Sequence, residues 1–262
     1  MCTLVILDRV RRDYPLILAA NRDEFYARAT EGPGLLVASP RVVGGRDLDK
    51  GGSWLAVSAT GNFAAVTNQR TWVAADRTLR SRGEVVVETA RCVDMARMHA
   101  YVSALDPRAY NSFNLAFGNA DGVWIAYLRT NRPHVEIERV APGIHVLPNG
   151  RLNSPDFPKV ARLKEQLTGF AGGPYPLLEA RIEQSLCDHR RPPIADVPAP
   201  PVGSLFTREL VCELHATCVH TPAYGTRSAS FVALVPGGVA RYRHASGAPC
   251  QVPFEDRIDL FQ

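Results

Sequence analysis

The run Met1-Cys2-Thr3-Leu4-Val5-Ile6-Leu7-Asp8 is answered, across a polar Arg11-Arg12-Asp13 turn, by Leu16-Ile17-Leu18-Ala19-Ala20-Asn21-Arg22-Asp23-Glu24, and its reading decides the fold. Both runs are short and apolar with turn residues beside them, the pattern of strands rather than helices. Residues 2–7 and 16–20 are therefore expected to pair as an antiparallel hairpin. The polar cluster Asn21-Arg22-Asp23-Glu24 then marks the end of the second strand, and antiparallel pairing sets it beside Cys2.

The same signature recurs further along. Strands are expected at 53–58 and 62–66 around Ala59-Thr60-Gly61, at 114–119 and 122–129 around Ala120-Asp121, and at 228–235 and 239–243 around Pro236-Gly237-Gly238. Residues 143–147 are expected to continue the sheet of the 114–129 hairpin. Helical spacing predicts helices over 83–92, 95–105, 156–170 and 177–186, the third with Pro155 just outside and Gly169 near its end. Hairpins and helix pairs come in blocks, not in alternating strand–helix units. The expected class is α+β, with layers of antiparallel strands under helices.

With 262 residues, 46% hydrophobic and 21% charged, the chain can bury one sizeable core. One domain over 1–262 is expected, with the Pro-rich run 191–201 as a surface loop. The formal charge of +4 comes from scattered Lys and Arg without a basic stripe, which argues against nucleic acid as a partner. The opening apolar run is too short to span a membrane and has no basic leader, so a cytoplasmic location is expected. Six cysteines (Cys2, Cys92, Cys187, Cys212, Cys218, Cys250) show no regular spacing and no Cys-x-x-Cys pair, which argues against zinc and against a disulfide framework. The seven histidines are scattered and no haem-attachment motif is present. No metal and no cofactor is expected.

Cys2 is the first candidate for chemistry. Removal of Met1 would leave one residue carrying a thiol and a free α-amine, which titrate near pH ~8.5 and ~8, so the amine can take the thiol proton near neutrality. The plain alternative is a small apolar residue starting a buried strand. Beside it, Asp23 can hold the ammonium or orient the thiolate, and Arg22 can neutralise an anion; the plain alternative is a solvated turn. Arg227, leading into an apolar strand, is a candidate second cation for an oxyanion or a substrate carboxylate, with Arg208 as a weaker one. Trp54 is expected as core or pocket wall, and Gly51 and Gly52 as a turn rather than a phosphate cradle.

Taken in order, Met1-Cys2, Asn21-Arg22-Asp23-Glu24-Phe25, Gly51-Gly52-Ser53-Trp54, Thr67-Asn68 and Tyr224-Gly225-Thr226-Arg227 resemble the NRDE family, the transport-and-Golgi-organisation proteins, over nearly the whole chain. The resemblance implies an N-terminal-nucleophile αββα sandwich and a biology of haem movement and lipid or acyl-group handling. A more distant similarity, to bile-salt hydrolases and penicillin V acylases, implies Cys2 as nucleophile, Asp23 as partner of its amine, and Asn68 and Asn153 as oxyanion supports. It places Asn21, Arg22, Glu24, Trp54 and Tyr224 around the substrate. For Asn153 a turn role with local hydrogen bonds is equally open. Those hydrolases carry an Arg three residues before the Asp, where this chain has Ala20.

Two functional readings follow. One is a cysteine amidase or acyl-transfer enzyme acting on an amide or thioester through Cys2, with Arg227 and the two asparagines stabilising charge. The other is a non-catalytic carrier whose cleft holds haem or another small acyl or amphipathic ligand. Fold alone does not choose between them.

Overall fold

The opening hairpin forms as its pattern dictates: β1 (Cys2–Asp8) and β2 (Leu16–Phe25) pair antiparallel, with Ile6 opposite Leu18 and Cys2 opposite Arg22. The structure, a computed structural model, describes residues 2–262. Two sheets follow in chain order. After β3 (Thr30–Val37), β4 (Val42–Asp47), β5 (Leu55–Ser58) and β6 (Phe63–Asn68) come the helices α1 (Arg82–Ala90) and α2 (Met95–Ser103), then β7 (Phe113–Asn119), β8 (Gly122–Leu128) and β9 (Glu136–Arg139). These seven strands make one antiparallel meander in sequence order. Next are β10 (Gly143–Leu147), α3 (Pro158–Thr168), α4 (Tyr175–Leu186), α5 (Arg208–Glu213), β11 (Tyr224–Val235), β12 (Gly238–Ala245) and β13 (Glu255–Asp256). The six-stranded sheet runs β10-β1-β2-β11-β12-β13.

Strand alternation assigns the layers. On β1, Leu4 and Ile6 join Leu55, Phe63, Ile125 and Val232 in a core between the sheets. Val5 and Leu7, one residue out of phase, pack with Leu163, Leu167, Leu178 and Ile182 of α3 and α4. On the far sheet, Ala64, Leu115 and Phe117 pack against Val85, Val86, Met98 and Val102 of α1 and α2. The result is the expected α+β sandwich of helix, sheet, sheet and helix. Among the described residues no helix is long and apolar enough to cross a membrane.

Two expectations are corrected. Residues 143–147 do not continue the 114–129 sheet; β9 does, and β10 crosses to pair with β1, Leu4 opposite Leu147. The first two hairpins lie in different sheets. Nor does the polar cluster follow the strand: β2 runs through it to Phe25, because β11 continues to pair with it out to Tyr224. One further expectation meets a different arrangement in space, since His189, Cys218, His220 and Cys250, scattered along the sequence, bring their ligand atoms within 4.8 Å of one another.

Gly51 and Gly52 form the expected turn, both left-handed at φ 71° and 81°. A Cβ on Gly52 would collide with the backbone of Gly83, where α1 begins and where Ser53 N–H donates to the Gly83 carbonyl at 3.1 Å. Gly52→Ala therefore combines left-handed strain with a backbone clash that nothing flexible relieves. It is expected to cost roughly 2–4 kcal/mol, read as a lowered midpoint in urea unfolding.

Candidate active site

Because β2 continues through the polar cluster, its alternation splits the four residues. Arg22, directly opposite Cys2, shares its face between the sheets, as does Glu24; Asn21 and Asp23 face the helices. On the inter-sheet face the Arg22 guanidinium stacks on the Trp54 ring at 4.3 Å. Its side chain is only 5% exposed, and its Nη1 finds no hydrogen-bond partner among the described residues. Glu24 lies 4.0 Å from it and takes a 3.3 Å hydrogen bond from Arg28, which also donates to Asp47 through Nε at 3.2 Å. Arg82, which sequence reasoning passed over, feels Cys2, Glu24 and Asp47 from the start of α1. Arg22, Arg28 and Arg82 thus stand among Glu24, Asp47 and Asp49 at this end of the cleft.

Cys2 is half-buried. Burial pushes its thiol up, and the Asp23 carboxylate adds to that rise, while the Arg22 guanidinium and a hydrogen bond from the Asp23 N–H oppose it. On the helix face, Thr226 Oγ1 donates to Asp23 Oδ1 at 2.7 Å and accepts from the Val219 N–H at 2.9 Å. Burial pushes the Asp23 carboxyl up; Lys159 and the Thr226 bond pull it back. Lys159 is 1% exposed, donating to Thr3 Oγ1 at 3.1 Å and to the Ala216 carbonyl at 2.9 Å. Burial pushes its ammonium down to about 8. In the sequence it reads as an ordinary helix lysine, and only the packing of α3 on β1 reveals it.

The other expected site residues divide. Tyr224 donates from its hydroxyl to the Asp23 carbonyl at 2.8 Å and meets Phe25 edge-on, so it buttresses the strand that carries the cluster. Asn21 donates to the carbonyls of Leu186 and Thr217 at 2.8 and 2.9 Å, tying the end of α4 to β2 on the face away from Cys2. Arg227 sits where a bulge shifts the β11 register, and its Nη1 donates to the carbonyls of Phe25, Tyr26 and Arg28 at 3.0, 2.8 and 3.1 Å. That guanidinium holds the β2–β3 turn, and the cation opposite Cys2 is Arg22.

Asn153 is left-handed at φ 58°; its Oδ1 accepts from the Val146 N–H at 3.0 Å and its Nδ2 meets His145 Nδ1 at 2.9 Å. These local bonds extend the edge of β10. Asn149 stands elsewhere. The β1–β10 register pairs Leu4 with Leu147, so continuing it two residues sets Asn149 opposite Cys2. Asn149 is 1% exposed and donates from Nδ2 to the Asn68 carbonyl at 2.7 Å, which ties the ends of β10 and β6 together across the cleft. Sequence reasoning missed Asn149; the signal was its place just beyond the apolar run of β10. Met1, whose removal the chemistry needs, lies outside the described residues.

Two antiparallel sheets between helix layers define the N-terminal-nucleophile hydrolase fold. Solved structures agree: a bile acid hydrolase mutant (C2A) from Clostridium perfringens matches with a TM-score of 0.52 at 10% identity, covering 98% of this chain and 96% of that one. A Caenorhabditis elegans orthologue of N-acylethanolamine-hydrolyzing acid amidase matches with a TM-score of 0.55 at 10% identity over 90% and 93%. Within that fold the chain belongs to the Transport and Golgi organisation 2 family, whose model matches residues 1–242. It is 31% identical over 247 residues to the Transport and Golgi organization protein 2 homolog of Bos taurus and 28% identical over 246 residues to that of Homo sapiens, in each case covering 89% of this chain and 87% of the relative.

Proposed function

We propose that the chain is a cysteine hydrolase or acyl-transfer enzyme that attacks an amide or thioester carbonyl through Cys2 once Met1 has been removed. The observation that carries this reading is the pairing of the Cys2 thiol with a buried, incompletely satisfied Arg22 guanidinium on one face of the same strand pair. Burial keeps the thiol protonated at rest, so the reaction needs a base that takes the proton as the bond forms. The freed α-amine of Cys2 supplies it, with Asp23 as the anion that holds the resulting ammonium. Sulfur bonds to the carbonyl carbon, the bond from carbon to the leaving nitrogen or sulfur breaks, and the proton passes from the ammonium to the leaving group. Water then cleaves the acyl-thioester in hydrolysis, or a second nucleophile does so in transfer.

Asn68 and Asn149, at the strand ends across from Cys2, are the proposed supports for the oxyanion. The Arg22 guanidinium, whose Nη1 has no hydrogen-bond partner among the described residues, favours a substrate that carries an anionic group. The test is intact and peptide mass of the purified chain after exposure to activated acyl esters, thioesters and acyl amides. One acyl group on Cys2 of a chain that lacks Met1 is expected. A chain that keeps Met1, or acylation spread over the other cysteines, would refute the proposal and leave a ligand carrier as the better account of the cleft.

A further inference from the structure

Behind Asp23, on the far side of β2 from the Cys2 thiol, three segments meet: the residues after α4, the loop leading into β11 and the turn after β12. They bring together His189, Cys218, His220 and Cys250, whose ligand atoms all lie within 4.8 Å of one another. Cys218 Sγ is 3.6 Å from Cys250 Sγ and 3.6 Å from His220 Nε2, and His220 Nε2 is 3.2 Å from Cys250 Sγ. A tetrahedral zinc with its usual bond lengths sets two sulfurs about 3.8 Å apart and sulfur from nitrogen about 3.5 Å apart. The three edges among Cys218, His220 and Cys250 are close to one face of such a tetrahedron, and His189 stands within 4.8 Å of that face as the fourth corner. We propose that these four side chains form a structural zinc site.

The donor set is Cys2His2, which suits a borderline-soft divalent ion and fills all four positions, leaving none open for substrate. The ligands are held without the ion. His189 Nδ1 lies 3.0 Å from the Cys218 carbonyl, so the proton sits on Nδ1 and the lone pair of Nε2 is free for metal, the usual support of a metal-binding histidine. The Asp188 carbonyl accepts from the Thr217 and Cys218 N–H groups at 3.0 and 2.9 Å, fixing the first two segments side by side. His220 bridges to Gly225 at the start of β11, and the Ala248 carbonyl accepts from the Gln251 and Val252 N–H groups at 2.9 and 3.0 Å, closing the turn that carries Cys250. Binding releases one proton from each thiol to solvent, and the two thiolates cancel the charge of the ion. Through Val219 N–H and Thr226 Oγ1 the pinned loop abuts Asp23, so the ion also steadies that wall of the Cys2 cleft.

The experiment is elemental analysis of the full chain, expressed without a histidine tag and purified under reducing conditions, together with cobalt substitution. About one zinc per chain is expected, and cobalt should give the intense visible bands of a tetrahedral site with a sulfur-to-cobalt charge-transfer band. Cys250→Ser, on an exposed turn, should fold yet bind zinc more weakly by over roughly 100-fold, beyond the loss of an outer-shell partner alone. A chelator should lower the Tm of the wild type and leave that of the variant unmoved. Zinc far below one per chain, a weak octahedral cobalt spectrum, or a Cys218–Cys250 disulfide in the reduced preparation would overturn the proposal.

Discussion

Cys2→Ala is expected to abolish turnover of any acyl amide or thioester that the wild type cleaves, while the fold stands. Without sulfur there is no atom to carry the acyl group, and the rate should fall by at least roughly 10³-fold, the scale seen when a nucleophile is removed from an acyl-transfer site. The structural cost is small. Cys2 is half-buried at the first position of β1, and the core below it begins at Leu4, so loss of the thiol should cost about 1 kcal/mol or less. Cys2→Ser should also lose most activity, because a hydroxyl offers almost no anion near neutral pH where a thiol supplies a few per cent. The measurement is kcat/KM beside Tm for the wild type and both variants. Activity in Cys2→Ala within tenfold of the wild type would remove Cys2 from the chemistry.

The second large effect is loss of stability in acid. His215 and His244 are 3% and 2% exposed. Burial pushes each down to about 4; Arg70, Lys159 and Arg162 deepen the shift for His215, and Arg257 for His244. Each is neutral in the fold and protonates more readily in the unfolded chain, whose imidazoles titrate near ~6.5. The unfolded state therefore takes up protons first as pH falls. The stability each neutral imidazole contributes is fully present above pH ~6.5 and is lost progressively down to pH ~4, by up to roughly 3 kcal/mol per residue. Buried carboxyls such as Asp23, pushed up in the fold, act in the opposite sense. The clean measurement is thus a difference: urea unfolding of wild type and His244→Gln across that window. The variant should lose less stability than the wild type as pH falls, and parallel curves would refute the account.

Where a hairpin is two apolar alternations around a short turn, as in β1–β2, β5–β6, β7–β8 and β11–β12, both partners lie in one stretch of sequence and the pairing is legible. The pair β3–β4 escaped because Gly32, Pro33, Gly34, Gly44 and Gly45 dilute its strand signal, and Pro33 sits at a register shift where a strand tolerates it. Sheet membership was the harder problem. Nothing near β10 in the sequence says that it will leave its neighbours to pair with β1.

The site was legible in the same uneven way. Cys2 and Arg22 meet because alternation along two adjacent strands is a local rule, whereas Trp54 reaches Arg22 from just before β5 in the other sheet. Arg227 lies in a bulge that turns its guanidinium onto the β2–β3 turn, and a bulge has no strong sequence mark here. Asn153 drew attention through the Ser-Pro after it, whereas Asn149, set by long-range register, did not. The side chains around the proposed zinc come from three loops, and spacing within any one of them carries no trace of the others.

The crossover topology also fixes when the cleft can exist during synthesis. β2, which carries Arg22 and Asp23, is flanked by β1 and by β11, and β11 begins at Tyr224. A ribosome releases the meander of β3 to β9 long before it makes that strand. Until then β2 keeps an open edge, Asp23 lacks Thr226, and β10 alone has come back to cover β1. From β10 onward the nascent chain covers one side of its opening hairpin without being able to finish the other. The wall of the Cys2 cleft that β11 supplies is therefore complete only when the last strands have been made.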